Sequence, residues 1–179
     1  MNQRYTRTAI GLHWLMALGL IGTFALGYYM PGLALSPTKL KLYSWHKWAG
    51  VTLFFLVLLR LAWRQSHPAP ALPSSVPAMV QMASHAMHWL MYALMITIPL
   101  SGWLMSSAKG FQTVWFGVLP LPDLLDKDKT LGESLTQLHE ALNFTLLGLV
   151  IVHTGAALKH HLIDRDDVLT RILPLKFKD

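Results

Sequence analysis

The chain has 179 residues, of which 53% are hydrophobic and only 13% are charged, so it is more apolar than a water-soluble core of this size requires. It contains no cysteine, which excludes disulfides, thiolate metal sites, iron–sulfur clusters and covalently attached c-type haem. The formal net charge is +6, but the basic residues lie at the edges of apolar runs rather than in one patch, which argues against nucleic-acid binding. These features indicate a small integral membrane protein.

Four apolar stretches are each long enough to cross a hydrocarbon core of ~30 Å. They cover residues 8–30, 43–63, 79–105 and 136–162. They predict one all-α domain over residues 1–179, an integral membrane four-helix bundle. Because the number of spans is even, both termini are expected on one side of the membrane, termed inward below; the opposite side is termed outward.

The distribution of basic residues predicts which side faces the cytoplasm. Nine lie on the inward side: Arg4, Arg7, Arg60, Arg64, Lys159, Arg165, Arg171, Lys176 and Lys178. Six lie on the outward side: Lys39, Lys41, Lys47, Lys109, Lys127 and Lys129. Since Lys and Arg are enriched in cytoplasmic flanks, this excess predicts cytoplasmic termini.

The first span is preceded by Arg4 and Arg7 and followed by Ala34-Leu35-Ser36, which offers small residues at cleavage spacing, as a secretory signal peptide would. Its apolar run is longer than the usual ~7–15 residues, however, and it contains His13 and Trp14. We therefore expect a retained membrane helix. At ~1.5 Å per residue, His13 lies roughly 8 Å inside this span.

The second span opens with His46, about one turn inside the outward surface, and Gly50 follows one turn later. A small residue at that position leaves room for a flat macrocycle beside the imidazole. The connection over residues 65–77 contains four prolines, so it is expected to be extended and stiff.

The third span carries His85 and His88 on one face. The outward loop that follows, residues 106–135, mixes aromatic and acidic residues. Such a loop is compatible with a lid that lies along the outer membrane surface.

The fourth span carries two histidines, His139 and His153, fourteen residues apart. At ~1.5 Å rise and ~3.6 residues per turn, both imidazoles lie on nearly one helix face, roughly 21 Å apart along the axis. His139 matches the depth of His46, and His153 matches that of His13. Neutral imidazole binds iron, copper and zinc alike, but pairs without carboxylate or thiolate partners favour six-coordinate haem over zinc.

The remaining histidines leave alternatives open. His88 is about as deep as His153, so depth alone does not exclude it as an axial ligand. His160 and His161 lie at the inward end of the fourth span, where anchoring at the membrane interface is the simpler explanation for His161. A lone histidine on a membrane helix is more often a packing residue than a ligand, so the haem interpretation rests on four histidines at two depths.

These residues resemble the bacterial cytochrome b561 family over nearly the whole chain. The matching motifs are His13-Trp14, Trp45-His46 with Gly50, His85-Ala86-Met87-His88, and His139-Glu140 with His153 and His160-His161. The fourteen-residue histidine spacing is also shared by the haem-bearing subunits of membrane formate dehydrogenases.

The resemblance implies two non-covalently bound haem b groups in a bundle of the bacterial inner membrane. One haem is expected on His46 and His139 toward the periplasm, and the other on His13 and His153 toward the cytoplasm. The resemblance further implies electron exchange with ubiquinone and, as in some members, oxidation of superoxide to dioxygen on the periplasmic side.

The family also implies that His88 and His160 lie on the quinone side or handle protons rather than bind iron. Reduction of quinone consumes protons, and a histidine with an unperturbed pKa near 6.5 is suited to deliver them. The leading hypothesis is therefore an oxidoreductase that carries electrons from a periplasmic one-electron donor, with superoxide as the candidate, to ubiquinone.

Two other functions are compatible with the sequence. One is a non-enzymatic haem-bearing subunit that docks a partner dehydrogenase. The other, a histidine-lined metal or proton transporter, is disfavoured because the histidines occupy two closed levels rather than polar, broken helices.

The basic residues at the membrane surfaces allow two interpretations as well. The outward lysines either attract an anionic donor and neutralise haem propionates, or form a solvated rim. The inward arginines either hold the propionates of the other haem or reach toward lipid headgroups. The outward set is Lys39, Lys41, Lys47, Lys127 and Lys129, and the inward set is Arg4, Arg7, Arg60 and Arg64.

Overall fold

A computed structural model describes residues 4–71, 73 and 76–174. Four long helices run through the chain: α1 (Arg7–Tyr29), α2 (Pro37–Ser66), α3 (Ala78–Ala108) and α4 (Lys129–Lys159). A short 3₁₀ turn, Met30–Gly32, follows α1, and a π-helical turn, His160–Asp164, extends α4. The outward loop contains two short antiparallel strands, β1 (Val114–Trp115) and β2 (Leu119–Pro120).

All four helices are long and apolar enough to cross a membrane, which confirms the predicted all-α membrane bundle. The candidate membrane segments are residues 7–32, 37–66, 78–108 and 129–164. Each contains one of the four spans predicted from hydropathy.

Capping residues explain why three helices begin where they do. The side chains of Thr6, Ser36 and Asp128 accept hydrogen bonds from backbone N–H groups three residues ahead, which satisfies donors that the first helical turn leaves free. Pro37 occupies the first turn of α2, where its missing N–H costs nothing. These caps start α2 at residue 37 rather than 43 and α4 at residue 129 rather than 136.

The helices pack in sequence order, α1 against α2, α2 against α3 and α3 against α4. One buried cluster joins the first three helices: Met16, Leu53, Val57 and Tyr92. Another joins α3 and α4: Met91, Leu94, Ile98 and Leu146. Large apolar side chains such as Leu18 and Ile151 stay more than 60% exposed on the outside of the bundle, as expected when the surrounding solvent is lipid.

The first and the last described segments of the chain meet at the inward end of the bundle. The indole of Trp14 donates a hydrogen bond to the carbonyl of Ile172 over 2.9 Å, which fixes the C-terminal segment against α1. The structure therefore places residues 4–6 and 171–173 at the same end of the bundle, as expected for an even number of spans. Lys176 and Lys178, two of the inward basic residues, lie outside the described residues, and the cytoplasmic orientation stays a prediction.

The strands of the outward loop form a tight hairpin. Residues 116–118 connect the paired Trp115 and Leu119, and the N–H of Val118 donates to the carbonyl of Trp115 over 3.1 Å. Phe116 and Gly117, the two central residues of this turn, both have positive φ, 50° and 73°. The indole of Trp48 donates to the carbonyl of Val114 over 2.6 Å, so the hairpin lies against the side of α2.

Candidate haem-binding site

The outward level of the bundle brings His46 and His139 face to face. α2 presents the first and α4 the second, and their ring centres lie 6.3 Å apart with the planes at 79°. Both residues are half-buried. The structure thus places together the two histidines that the sequence predicts at one depth.

The inward level brings His13 of α1 and His153 of α4 together in the same way. Their ring centres lie 6.4 Å apart, with the planes at 62°. Fourteen residues of α4 separate this level from the outward one, which corresponds to roughly 21 Å along the helix.

Both separations fit two imidazoles that share one metal ion. An imidazole nitrogen lies about 2 Å from a bound first-row metal ion and its ring centre about 1.1 Å farther away, so two rings on opposite sides have centres roughly 6.2 Å apart. The observed separations of 6.3 and 6.4 Å match this value closely. The donor set, two neutral imidazoles at each level, also suits haem iron.

Hydrogen bonds orient the two outward imidazoles. Nδ1 of His46 lies 3.0 Å from the carbonyl of Thr23, and Nδ1 of His139 lies 3.1 Å from the carbonyl of Ile98. A carbonyl only accepts, so each Nδ1 carries the proton and each Nε2 keeps a free lone pair. Metal-binding histidines are typically held in this way, by a hydrogen bond from the other ring nitrogen.

Two glycines allow helices to approach these imidazoles. A Cβ at Gly27 would lie 3.0 Å from Cε1 of His46, and a Cβ at Gly102 would lie 3.0 Å from Cε1 of His139. Both positions are tighter than ordinary contacts. The glycines are therefore part of what positions the two rings.

A small cavity of about 50 Å³ lies between the four helices at the outward level. His46 and His139 line it, and apart from them, Thr23 and Asn143 its lining is apolar. Gly50 also lines the cavity, and a Cβ there would meet no atom of the described residues within 4 Å. Its mainly apolar lining with two imidazoles has the character of a cofactor site.

His88 lies about as deep in the membrane as His153, so its depth does not decide whether it could bind iron. Its ring centre lies 5.1 Å from that of His153, with the planes at 84°. That distance is too short for two imidazoles on opposite sides of one ion, whereas the distance between His13 and His153 fits. Nδ1 of His88 donates to the carbonyl of Ser84 over 2.6 Å, which leaves Nε2 free.

His160 lies in an ion-pair network at the inward end of α4. Its Nδ1 is 2.6 Å from a carboxylate oxygen of Asp166, and both side chains are about 15% exposed. Asp164 is 3.4 Å from the same nitrogen, but Lys159 holds that carboxylate at 2.6 Å. The side chains of His160, Asp164 and Asp166 offer possible metal-ligand atoms within 4.8 Å of one another. Because Lys159 compensates Asp164, the network is better explained by ion pairing than by a metal.

The basic side chains at the two levels are anchored to the protein. Nε of Arg60 donates to the hydroxyl of Tyr92 over 3.0 Å, and the Arg64 guanidinium lies 5.9 Å from the ring of Tyr92. On the outward side, Lys39 donates to the carbonyl of Leu33 over 2.6 Å. These contacts hold the charges near both ends of the bundle.

A profile of the family described as prokaryotic cytochrome b561 matches residues 4–175. The chain belongs to this family. Members are membrane proteins of electron transfer that use b-type haem, so this cytochrome has an oxidoreductase or electron-transfer role.

Individual relatives of the cytochrome cover almost its full length. Cytochrome b561 homolog 2 of Escherichia coli (strain K12) is 35% identical over 173 residues, 96% of this chain and 92% of that protein. Cytochrome b561 homolog 1 of the same strain is 29% identical over 177 residues, with 96% and 97% coverage. A protein of Yersinia pestis named probable superoxide oxidase CybB is 26% identical over 176 residues, with 98% and 99% coverage.

Sequence analysis of the cytochrome missed the residues that hold the outward imidazoles. Gly27 and Gly102 follow no motif that differs from ordinary helix packing, and the carbonyl of Thr23 has no sequence signature at all. Pro99 was a usable signal, because a proline inside a membrane helix marks a turn where side chains and neighbouring helices must satisfy backbone groups. Ser101 and His139 contact the backbone at that turn.

Proposed function

We propose that the cytochrome binds two haem b groups and carries electrons across the bacterial inner membrane, from a periplasmic one-electron donor to ubiquinone. In this proposal His46 and His139 would hold the outer haem, and His13 and His153 would hold the inner haem. The observation that carries this proposal is the ring separation, which at both levels equals the value for one shared metal ion. When bound, such haems supply reversible one-electron chemistry at two depths.

Superoxide is the donor that we propose. One full-length relative is named a probable superoxide oxidase, and superoxide is an anion that the outward lysines attract. The reaction balances when two superoxide anions are oxidised to two dioxygen molecules. Their two electrons, together with two protons, convert one ubiquinone to ubiquinol.

His88 and His160 are the candidates for supplying these protons at the inward end. The carbonyl of Ser84 holds Nδ1 of His88, and the carboxylate of Asp166 holds Nδ1 of His160. In each imidazole Nε2 makes no hydrogen bond to the described residues, and we propose that it faces the path of the protons. His160 follows His153 by two helical turns on the same face of α4, so it lies on the path from the inward surface toward the inner pair.

Rapid mixing of the purified cytochrome with superoxide tests this function. We expect the haem absorbance to show reduction by superoxide and reoxidation by a soluble ubiquinone analogue, with one ubiquinol formed for two superoxide anions consumed. The opposite result would be that superoxide does not reduce the haem and that the cytochrome copurifies with a dehydrogenase that does. The protein would then be an electron-transfer subunit rather than this enzyme.

A further inference from the structure

The part of the outward loop from residue 111 to 122, termed the apolar hairpin below, has an unusual composition. It contains no charged residue, and apart from Gln112 and Thr113 it consists of apolar residues, glycine and proline. Its tip exposes Phe116, Val118 and Leu119, which are 56%, 83% and 52% accessible. Three adjacent large apolar side chains at the tip of a loop mark a surface that binds another apolar phase.

The contacts of the apolar hairpin with α2 fix its depth. The indole of Trp48 donates to the carbonyl of Val114 over 2.6 Å, and the indole of Trp115 donates to the hydroxyl of Thr52 over 3.3 Å. The ring of Phe55 lies 5.7 Å from that of Trp115. The contacts of the hairpin with α2 thus extend over about two helical turns, from Trp48 to Phe55.

This stretch of α2 lies inside the hydrocarbon core for any placement of the helix that spans the bilayer. α2 has 30 residues, so it is roughly 45 Å long, and the core is ~30 Å thick. If both ends of α2 lie outside the core, Thr52 is at least about 7 Å below its outward boundary. The indole of Trp115, which contacts Thr52, reaches this depth. The tip lies about one helical turn nearer the surface, because the ring centre of Phe116 is 5.5 Å from that of Trp48.

The apolar hairpin lies on the lipid side of α2 rather than in the bundle interior. Trp48 follows His46 by two positions, which turns it about 200° around the helix axis, away from the histidine pair. The same face of α2 includes Phe55, which contacts the hairpin, and Leu59 one turn farther inward; they are 52% and 53% exposed. The exposed tip and this stripe of α2 form one continuous apolar surface.

Part of the backbone of the apolar hairpin is hydrogen-bonded internally, which lowers the cost of placing it in an apolar surrounding. The N–H groups of Gly117, Val118 and Leu121 donate to carbonyls within the hairpin, at 3.2, 3.1 and 2.8 Å. Pro120 and Pro122 have no N–H group, and the indole of Trp103 donates to the carbonyl of Pro122. Three N–H groups of the hairpin are therefore paired within it, and two of its residues have no N–H group.

We propose that the apolar hairpin is a re-entrant element that inserts into the outward leaflet beside α2, with Phe116, Val118 and Leu119 among the lipid acyl chains. The occupant of this surface is lipid, because the depth of Thr52 and the continuity with the exposed stripe of α2 both place it in the hydrocarbon. The proposal does not depend on the donor or acceptor of the electrons.

Site-specific fluorescence in proteoliposomes tests the proposal, and the absence of cysteine from the chain makes single labelling straightforward. Val118→Cys carries an environment-sensitive probe at the tip, and Leu119→Cys provides a second position in case the first variant folds poorly. Asp126→Cys is the matched control, an exposed position of the same loop beyond the hairpin. The haem absorbance of each labelled protein reports that the bundle is intact.

We expect nitroxide-labelled acyl chains to quench the probe at position 118 about twofold, and iodide in the water to leave it unquenched. The probe at position 126 should show the opposite pattern. Iodide quenching at 118 equal to that at 126 would place the hairpin in water. Protection from both quenchers would mean that a protein surface, such as a second copy of the chain, covers the tip; either result overturns the proposal.

Discussion

Replacing Gly102 by alanine is expected to weaken haem binding at the outward histidine pair and leave the inward pair unchanged. A Cβ at position 102 would lie 3.0 Å from Cε1 of His139, whereas ordinary contact begins at 3.4 Å, so the ring must retreat by about 0.4 Å. The ring cannot swing freely, because its Nδ1 is 3.1 Å from the carbonyl of Ile98 and 2.9 Å from the hydroxyl of Ser101.

The size of the effect follows from this displacement. Metal–ligand distances tolerate deviations of only about 0.2 Å, so the metal–nitrogen bond absorbs part of the shift and the protein the rest. Overpacking of this kind typically costs about 1–3 kcal/mol, which corresponds to roughly 5- to 150-fold weaker haem binding at that level. Alanine is also a better helix former than glycine by about 1 kcal/mol, so α3 itself should not be destabilised.

Titration of haem into haem-depleted protein measures this loss. In a His153→Ala background, the titration reports the outward level alone. Gly148→Ala is the matched control, because a Cβ there meets no atom of the described residues within 4 Å. If Gly102→Ala binds haem as tightly as Gly148→Ala, the position of the His139 ring does not control the outward site and the reasoning is refuted.

Three further predictions concern the remaining histidines. His139→Ala should lose only the outer haem and His153→Ala only the inner one, as resolved by redox titration; a haem lost with His88→Ala but kept with His153→Ala would contradict the inner pairing. His88→Ala should leave both haems bound and reducible by superoxide but slow their reoxidation by ubiquinone in stopped-flow experiments, and a wild-type rate would argue for a packing role. Asp166→Asn should slow the same reoxidation without loss of haem, because the carboxylate that holds His160 is gone. An unchanged rate would mean that the contact between His160 and Asp166 only stabilises the C-terminal end of α4.

Hydropathy predicted the four helices but not their ends. The spans ended where polar residues begin, whereas α4 starts at Lys129 and projects beyond any ~30 Å core. The part of a helix that projects into water does not need apolar residues, so hydropathy does not detect it. Only the capping residue Asp128 marks where α4 begins. The sequence does not predict the hairpin turn at Phe116 and Gly117, because phenylalanine stands before the glycine where Asn or Asp usually signals such a turn.

The site shows a similar division between what helical periodicity specifies and what packing decides. Helix geometry sufficed to place His139 and His153 at two levels of one face, because that spacing is local to α4. Depth alone leaves both His13 and His88 open as the partner of His153, and the resemblance favours His13. The distance between the rings of His13 and His153, which helix periodicity does not contain, supports the same pairing. The glycine at 102 has a role only because His139 approaches it from another helix.

The haem content of the purified cytochrome tests the central claim most directly. Quantitative extraction of non-covalently bound haem, set against the protein concentration from amino-acid analysis, should give a ratio near two, because two histidine pairs at two levels each have the separation of one shared iron. A ratio near one would contradict the account, since one of the two pairs would then bind no haem despite its geometry.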